Sequence, residues 1–183
     1  MSDKIRVVHY INQFYGGYGG EDTASMGIVV KEEPVGPGLY LQSALGDSYK
    51  IVATIICGDN FIAENIENVS NEVADIVEKY NAQMYIAGPG FNAGRYGLAC
   101  GATTAIVTER LKIPAVTGLY TENPGTDLYK DRAYILQTEN NAAKMKAALE
   151  RLAGFASRLA EGGFINDGKS EGYFGSGPAV DID

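Results

Sequence analysis

The sequence predicts an α/β protein built on a doubly wound, mostly parallel five-stranded sheet, of either the flavodoxin-like or the Rossmann-like kind. The first observation behind this prediction is the alternation of short apolar runs with longer segments of helical periodicity. The second is the placement of glycine, because the 23 glycines among 183 residues cluster at the ends of the apolar runs, where turns are needed. A chain of this length is enough for one domain with a full hydrophobic core.

Five short apolar runs are predicted to be the strands. The first run is apolar at consecutive positions, which is typical of a strand buried on both faces, so we expect it at the centre of the sheet. The segments between most of the runs are helical, which favours parallel strands joined by right-handed crossovers. The predicted strands are residues 5–11, 51–57, 84–87, 114–119 and 133–137.

The helices are predicted from apolar periodicity and from turn residues. The strongest pattern lies in residues 61–80, where apolar side chains recur every three or four positions and form the stripe of an amphipathic helix. The other predicted helices are residues 36–45, 94–111 and 139–160. Residues 12–33 read as a long loop rich in glycine and tyrosine, and a loop of this length is usually functional or disordered.

The chain is predicted to consist of one α/β domain, residues 1–161, followed by a C-terminal tail, residues 162–183. The tail is rich in glycine and lacks the periodicity of a helix or a strand. Its few apolar residues do not favour an independent fold. We therefore expect the tail to be either mobile or bound to a partner.

Charge and cysteine content exclude several classes of function. A formal net charge of −8 argues against a nucleic-acid or anionic membrane partner. No apolar run approaches the roughly 20 residues that span a bilayer. The first residues contain no apolar segment of the kind that a secretory signal requires. Two cysteines in apolar or glycine-rich surroundings favour a reducing compartment, so we expect a cytoplasmic protein.

Residues 88–97, Gly-Pro-Gly-Phe-Asn-Ala-Gly-Arg-Tyr-Gly, are predicted to connect the third strand with a helix. A glycine-rich turn at this place lets backbone N–H groups approach an anion without interference from Cβ atoms. Arg95 adds a positive charge at the first turn of the helix, where it suggests compensation of a bound carboxylate or phosphate. The alternative is a turn that serves only close packing of helix and strand.

Polar side chains follow four of the predicted strands. Because the carboxyl ends of parallel strands meet at one edge of a sheet, we expect these side chains to lie together. Amide, phenol and carboxylate groups around one arginine suit a small zwitterion such as an amino acid. For Asp59, Asn60 and Asn123, turn formation or helix capping remains the competing interpretation. The candidate substrate-binding residues are Asn12, Tyr15, Asp59, Asn60, Asn92, Arg95, Tyr120, Glu122 and Asn123.

Cys57 is the candidate for a catalytic side chain. It ends a predicted strand close to the start of the next helix, where a thiolate is stabilised. The competing interpretation is a buried, inert cysteine. His9, Cys57 and Cys100 do not have the spacing of metal ligands, so no metal site is predicted. Residues 88–93 match a dinucleotide fingerprint only loosely, so no cofactor is predicted for this chain.

Five uncommon blocks occur in the chain: residues 7–14 (VVHYINQF), 35–38 (VGPG), 56–60 (ICGDN), 87–97 (AGPGFNAGRYG) and 121–125 (TENPG). Together they resemble the N-terminal region of the component B selenoprotein of the glycine, sarcosine and betaine reductases. The resemblance covers residues from about 5 to about 173, nearly the whole chain. It implies reductive cleavage of the C–N bond of glycine or an N-methylated glycine, in which a selenolate attacks the α-carbon and the carboxymethyl group passes to a selenoprotein A.

One departure from the family concerns the nucleophile. The family's selenocysteine belongs to a C-terminal region, and the 183 residues contain none. The resemblance therefore implies a non-autonomous subunit that shapes the substrate site, with the selenocysteine or cysteine nucleophile on another polypeptide or in a missing C-terminal region. Its expected partners are that reductase subunit, a selenoprotein A-like carrier and a small amino-acid or betaine-type substrate.

Two further hypotheses remain open from the sequence. A stand-alone binding module for amino acids or betaines would bind ligand and catalyse nothing. A flavodoxin-like carrier could use its tyrosine-rich loop, residues 10–18, to stack on a flavin. Substrate binding without partners and a flavin absorbance band would distinguish these hypotheses from the first.

Overall fold

The computed structural model of the chain describes residues 3–163 and 165–179. They form an α/β fold around a mixed six-stranded sheet with the order β2-β3-β1-β4-β5-β6. Five neighbouring strands are parallel, and only the edge strand β2 is antiparallel to its neighbour. The strands are β1 (Ile5–Asn12), β2 (Val29–Lys31), β3 (Tyr49–Cys57), β4 (Met84–Phe91), β5 (Ala115–Leu119) and β6 (Tyr134–Gln137).

The predicted number of five strands is wrong because β2 lies in the segment predicted to be a loop. Three residues are too few to show alternation, so this edge strand has no pattern of its own in the sequence. The other five strands lie where they were predicted. β1 pairs with β3 on one side and with β4 on the other, which confirms its central position.

Helices cover both faces of the sheet. The predicted helix 61–80 is divided into α2 and α3, and the predicted helix 139–160 begins later, after a 3₁₀ turn capped by Asn141. The helices are α1 (Pro37–Leu45), α2 (Asp59–Ala63), α3 (Ile66–Lys79), α4 (Gly94–Leu111), α5 (Pro124–Tyr129), α6 (Met145–Ala160) and α7 (Gly168–Glu171). None of the helices in the described residues has the length and apolar character needed to cross a bilayer.

Side chains that alternate along the strands lie on opposite faces of the sheet and belong to two hydrophobic clusters. Val8 and its neighbours on one face pack with α3 and α4, whereas Val7 and its neighbours on the other face pack with α1 and α6. The connection from β1 to β3 uses α1 on one face, whereas the connection from β4 to β5 uses α4 on the opposite face. The chain therefore leaves the ends of β1 and β4 toward opposite faces and opens a crevice between them.

The first part of the glycine-rich stretch is strand, and not the strand-to-helix turn that the sequence suggested. Residues 88–91 belong to β4 and are buried, and the turn to α4 comes only at residues 92–93. A Cβ atom on Gly90 would lie 2.8 Å from Leu119 Cδ2 and 3.3 Å from Cys100 Sγ. These glycines therefore serve the close approach of β4 to α4 and β5, which was the competing interpretation.

The described part of the predicted tail, residues 162–163 and 165–179, packs against β6 and α6. The Gln137 N–H donates to Gly172 O, and the Phe174 N–H donates to Ile135 O. The Tyr173 ring contacts the rings of Tyr134 and Phe155 at centroid distances of 5.0 and 5.9 Å. These contacts order the segment against its own domain. The remaining residues of the predicted tail lie outside the described residues.

Candidate functional site

A cavity of about 390 Å³ opens at the carboxyl edge of the sheet, in the crevice between the ends of β1 and β4. Of the candidate residues, Asn12, Tyr15, Asp59 and Asn92 line it. The structure therefore brings together residues that follow three different strands. The other lining residues are Gln13, Phe14, Gly20, Glu21, Gly90, Phe91, Ala93, Tyr96, Asn140, Asn141 and Ala142.

Asp59 is held at the start of α2, where it is only 7% exposed. Its Oδ2 accepts a hydrogen bond of 3.2 Å from Asn12 Nδ2, and its N–H donates to Gln13 Oε1 at 3.0 Å. Its Oδ1 is buried and has no hydrogen-bond partner. Burial raises the pKa of this carboxyl, against the opposing effects of the Asn12 and Gln13 amides and the Arg95 charge. The site thus contains a buried carboxylate oxygen that is free to accept.

Aromatic rings form a second part of the lining. The rings of Phe14 and Tyr15 are 5.3 Å apart, and those of Tyr15 and Tyr96 are 5.9 Å apart. Tyr96 is buried in the first turn of α4, whereas Phe14 is 62% exposed at the cavity mouth. The cavity therefore combines an aromatic surface with a carboxylate.

Arg95 lies beside the cavity and is not among its lining residues. Its guanidinium donates to the Asn60 side-chain oxygen and forms an ion pair with Glu21. Glu21 does line the cavity, from a 3₁₀ turn in the loop between β1 and β2. Arg95 and Asn60 thus lie at the rim of the cavity, and the Arg95 guanidinium is already paired with the Glu21 carboxylate of the same chain.

Cys57 and Cys100 lie under the site and are fully buried. Burial raises the pKa of the Cys57 thiol to about 12, although the Tyr10 hydroxyl beside it acts in the opposite direction. The pKa of Cys100 is raised as well, with burial as the largest cause. Both thiols therefore stay protonated at neutral pH, which does not favour a nucleophile.

His9 lies in the middle of β1 and is completely buried. Its Nε2 is 2.7 Å from Gly88 O, and as a neutral ring it donates a hydrogen bond there. Burial lowers its pKa to about 4, so the ring is neutral at physiological pH. His9 therefore holds β1 against β4, in line with a core histidine.

Asn123 caps α5 and supports the wall of the cavity from behind. Its Oδ1 accepts from Gly125 N at 2.9 Å, and its Nδ2 donates to Phe91 O and Ala93 O at 3.0 Å each. All of these contacts are made within the chain. Asn123 therefore positions the turn between β4 and α4, as its capping interpretation suggested.

Tyr120 and Glu122 are not brought to this cavity. Glu122 is exposed, and Tyr120 lines a second cavity of about 440 Å³ beyond the ends of β5 and β6. Lys144 and Arg151 give that second cavity a cationic wall, and Arg151 donates to Gln137 O. Neither basic residue was among the sequence candidates.

Sequence reasoning missed several lining residues of the first cavity, including Gln13, Glu21 and Asn140. The rule that places residues after strand ends at one edge also applies to the predicted strand 133–137, and following it to residues 138–142 indicates Asn140. Glu21 carries no such signal because it lies nine residues past the end of β1 and reaches the edge through its loop. Within the described residues, no group of three or more His, Cys, Asp or Glu could hold a metal ion.

Comparison with known proteins identifies the family. The model of the glycine/sarcosine/betaine reductase selenoprotein B family matches residues 4–182. The chain is 48% identical over 158 residues to the glycine reductase complex component B subunit gamma of Symbiobacterium thermophilum, which covers 86% of the chain and 37% of that protein. No solved structure matches the chain at a significant level.

Two relatives from Peptoclostridium acidaminophilum carry the names of the other two reductases. The sarcosine reductase complex component B subunit beta is 43% identical over 170 residues, 93% of the chain and 39% of that protein. The betaine reductase complex component B subunit beta is 34% identical over 172 residues, 94% of the chain and 39% of that protein. The chain thus spans about two fifths of the length of these relatives. It belongs to the glycine/sarcosine/betaine reductase selenoprotein B family.

Proposed function

We propose that this chain is part of component B of a reductase complex that cleaves the C–N bond of glycine or of an N-methylated glycine. The observation that carries the proposal is the family match over residues 4–182, together with relatives named for glycine, sarcosine and betaine reductases. The role of this chain in the complex is to shape the substrate site.

The fold supports that role. The five parallel strands lie in the order β3-β1-β4-β5-β6. When β2 is left out and these strands are renumbered in chain order, the order becomes 2-1-3-4-5, which is the flavodoxin-like order. In such sheets ligands bind where the strand order reverses, and here that point lies between β1 and β4. The cavity opens at this point and is large enough for a small zwitterion.

The carboxylate of the substrate binds at Arg95 in this proposal. The Glu21 carboxylate pairs with the guanidinium in the structure, which supports an anion site at the rim of the cavity. Glu21 lies 74% exposed on a loop, so an incoming carboxylate can displace it. The exchange replaces one charge-assisted contact with another.

The nucleophile comes from outside these 183 residues. The sequence contains no selenocysteine, and both cysteines are buried with raised pKa values. In the proposed reaction the external selenolate or thiolate forms a bond to the α-carbon while the C–N bond breaks. The electron pair of that bond leaves with the nitrogen as the free amine, and the carboxymethyl group moves on to the carrier selenoprotein.

The proposed function is tested by amine release. The chain is incubated with glycine, sarcosine or betaine and a dithiol, first alone and then with the remaining component B polypeptides and component A. We expect no turnover from the chain alone and turnover from the complete mixture that disappears when this chain is omitted. Turnover by the chain alone that is lost in Cys57→Ser would make Cys57 the nucleophile and overturn the proposal. Substrate binding without any contribution to turnover would instead identify a stand-alone binding module.

The role of Arg95 is tested separately by calorimetry. We expect Arg95→Ala to weaken substrate binding by roughly 1.5 to 3 kcal/mol, as for loss of a charge-assisted hydrogen bond. Arg110→Ala is the matched control, because Arg110 lies on the same helix and pairs with Asp75 far from the cavity. Equal affinities of the wild type and Arg95→Ala would remove Arg95 from the site.

A further inference from the structure

The cavity between β1 and β4 has an acidic wall. Among the described residues that line it, the charged side chains are the carboxylates of Glu21 and Asp59. The remaining polar lining is provided by neutral amides and by tyrosine. A ligand that enters the cavity therefore meets negatively charged groups that favour a cation.

The two carboxylates differ in what they can still bind. Glu21 is neutralised by its ion pair with Arg95 at the rim. Asp59 has no basic partner within hydrogen-bond distance, and its Oδ1 is buried without a hydrogen bond. A buried carboxylate oxygen without a donor is costly, and a ligand that supplies a donor or a positive charge removes that cost.

The aromatic wall has the same preference. Phe14, Tyr15 and Tyr96 line the cavity as a chain of ring contacts. The faces of aromatic rings attract cations, including nitrogens that carry methyl groups and have no N–H to donate. A carboxylate beside such rings suits both primary and methylated ammonium groups.

We propose that this cavity binds the cationic nitrogen of the ligand, with Asp59 as its counter-ion and Phe14, Tyr15 and Tyr96 as its aromatic wall. This inference rests on the proposed function, which supplies the class of ligand. An ammonium group donates to the Asp59 carboxylate, and a trimethylammonium group is held by charge and by the rings. These groups thereby select for the positive charge on the nitrogen. They do not by themselves distinguish between different degrees of methylation.

The experiment compares ligands that differ only in that charge. Betaine is paired with 3,3-dimethylbutanoate, which has the same shape and a carbon in place of the nitrogen, and glycine is paired with glycolate. Binding to the full chain is measured by calorimetry at pH 7.5. We expect at least one of the two cationic ligands to bind. Its partner without the positive charge should have an affinity at least about tenfold lower, which is the size expected for a lost contact to a charged group.

Variants locate the effect. We expect Asp59→Asn to reduce affinity for the cationic ligand about tenfold and to leave the neutral-headed partner unchanged. Asp47→Asn is the control, because Asp47 is exposed in the turn between α1 and β3 and is not part of the cavity. Circular dichroism confirms that each variant is folded before its affinity is measured.

Three results would overturn the inference: equal affinity for the two members of each pair, unchanged cation binding in Asp59→Asn, or no binding of either cationic ligand. Amine release by the complete complex is measured independently. Turnover that depends on this chain, combined with equal affinity for charged and neutral ligands, would retain the proposed function and reject the ammonium site.

Discussion

Asp59 and Glu171 are two carboxylates whose pKa values shift in opposite directions. Asp59 is buried and its side chain accepts a hydrogen bond from Asn12, whereas Glu171 is partly buried and its side chain accepts from Arg158 and from Asn166. Burial raises the pKa of Asp59, while the Arg158 guanidinium and the Asn166 donors lower that of Glu171 to about 2.

The comparison indicates that burial and the number of hydrogen-bond donors together decide what a carboxylate contributes. Glu171 stabilises the docking of the C-terminal segment on α6 because its charge is satisfied in the folded chain. Asp59 lowers stability at neutral pH because its charge is incompletely satisfied. That imbalance is typical of a binding site, where the missing partner is the ligand.

The largest expected effect on stability belongs to a fully satisfied neutral side chain at the cavity wall. We expect Asn123→Ala to lower the free energy of unfolding by about 2 to 3 kcal/mol, because it removes a helix cap and two further hydrogen bonds, to the Phe91 and Ala93 carbonyls. Urea denaturation measures this. Asn92→Ala is the control at the same edge, and we expect it to change stability by less than about 0.5 kcal/mol because Asn92 is exposed. Similar losses of stability in the two variants would mean that the hydrogen bonds of Asn123 do not stabilise this wall of the cavity.

A smaller effect is expected at Glu171. Glu171→Gln should lower the free energy of unfolding by about 1 kcal/mol at pH 7, as for loss of an ion pair that belongs to a network. Because the folded pKa is lowered from 4.5 to about 2, this stabilisation is present above pH 4.5 and disappears as the pH falls toward 2. Denaturation of the wild type and the variant between pH 2 and 7 checks the window. A difference that does not shrink in acid would contradict the comparison.

The smallest change in stability is expected at Asp59. In contrast to the two variants above, removing this charge is not expected to destabilise the fold. The folded pKa of Asp59 is raised, so the ionised carboxyl opposes folding above that pKa, and the penalty fades as the pH falls toward the unfolded value. We therefore expect Asp59→Asn to leave the free energy of unfolding at pH 7 unchanged or to increase it. Thermal unfolding at pH 7 and pH 4 measures this, and a clear loss of stability at pH 7 would show that the charge is satisfied after all.

The parallel strands and the chemistry of the sheet edge could be predicted from the sequence, whereas two local features could not. Asn12, Tyr15 and Asp59 were placed together by the rule for parallel strand ends, and they line one cavity. Residues 88–91 were misassigned because glycine and proline usually indicate a turn, while here they let β4 pass close to Cys100 and Leu119. β2 was missed because a three-residue edge strand depends on its neighbour for its hydrogen bonds.

Arg95 shows the same limit within the site. The sequence placed it correctly in the first turn of α4, yet its partner Glu21 is 74 residues away in a loop. No local pattern connects the two side chains.

The sequence by itself determined the alternation of strands and helices, the central position of β1, the membership of the family and the polar character of the sheet edge. These follow from periodicity, composition and short motifs, which act over a few residues at a time. Only the tertiary structure decided that Asp59 lines the cavity and has a buried oxygen without a hydrogen bond, that Arg95 is paired with Glu21 and that Cys57 is buried. Burial and hydrogen-bond pairing depend on contacts between segments far apart in the chain, so they exist only once the sheet and its helices are assembled.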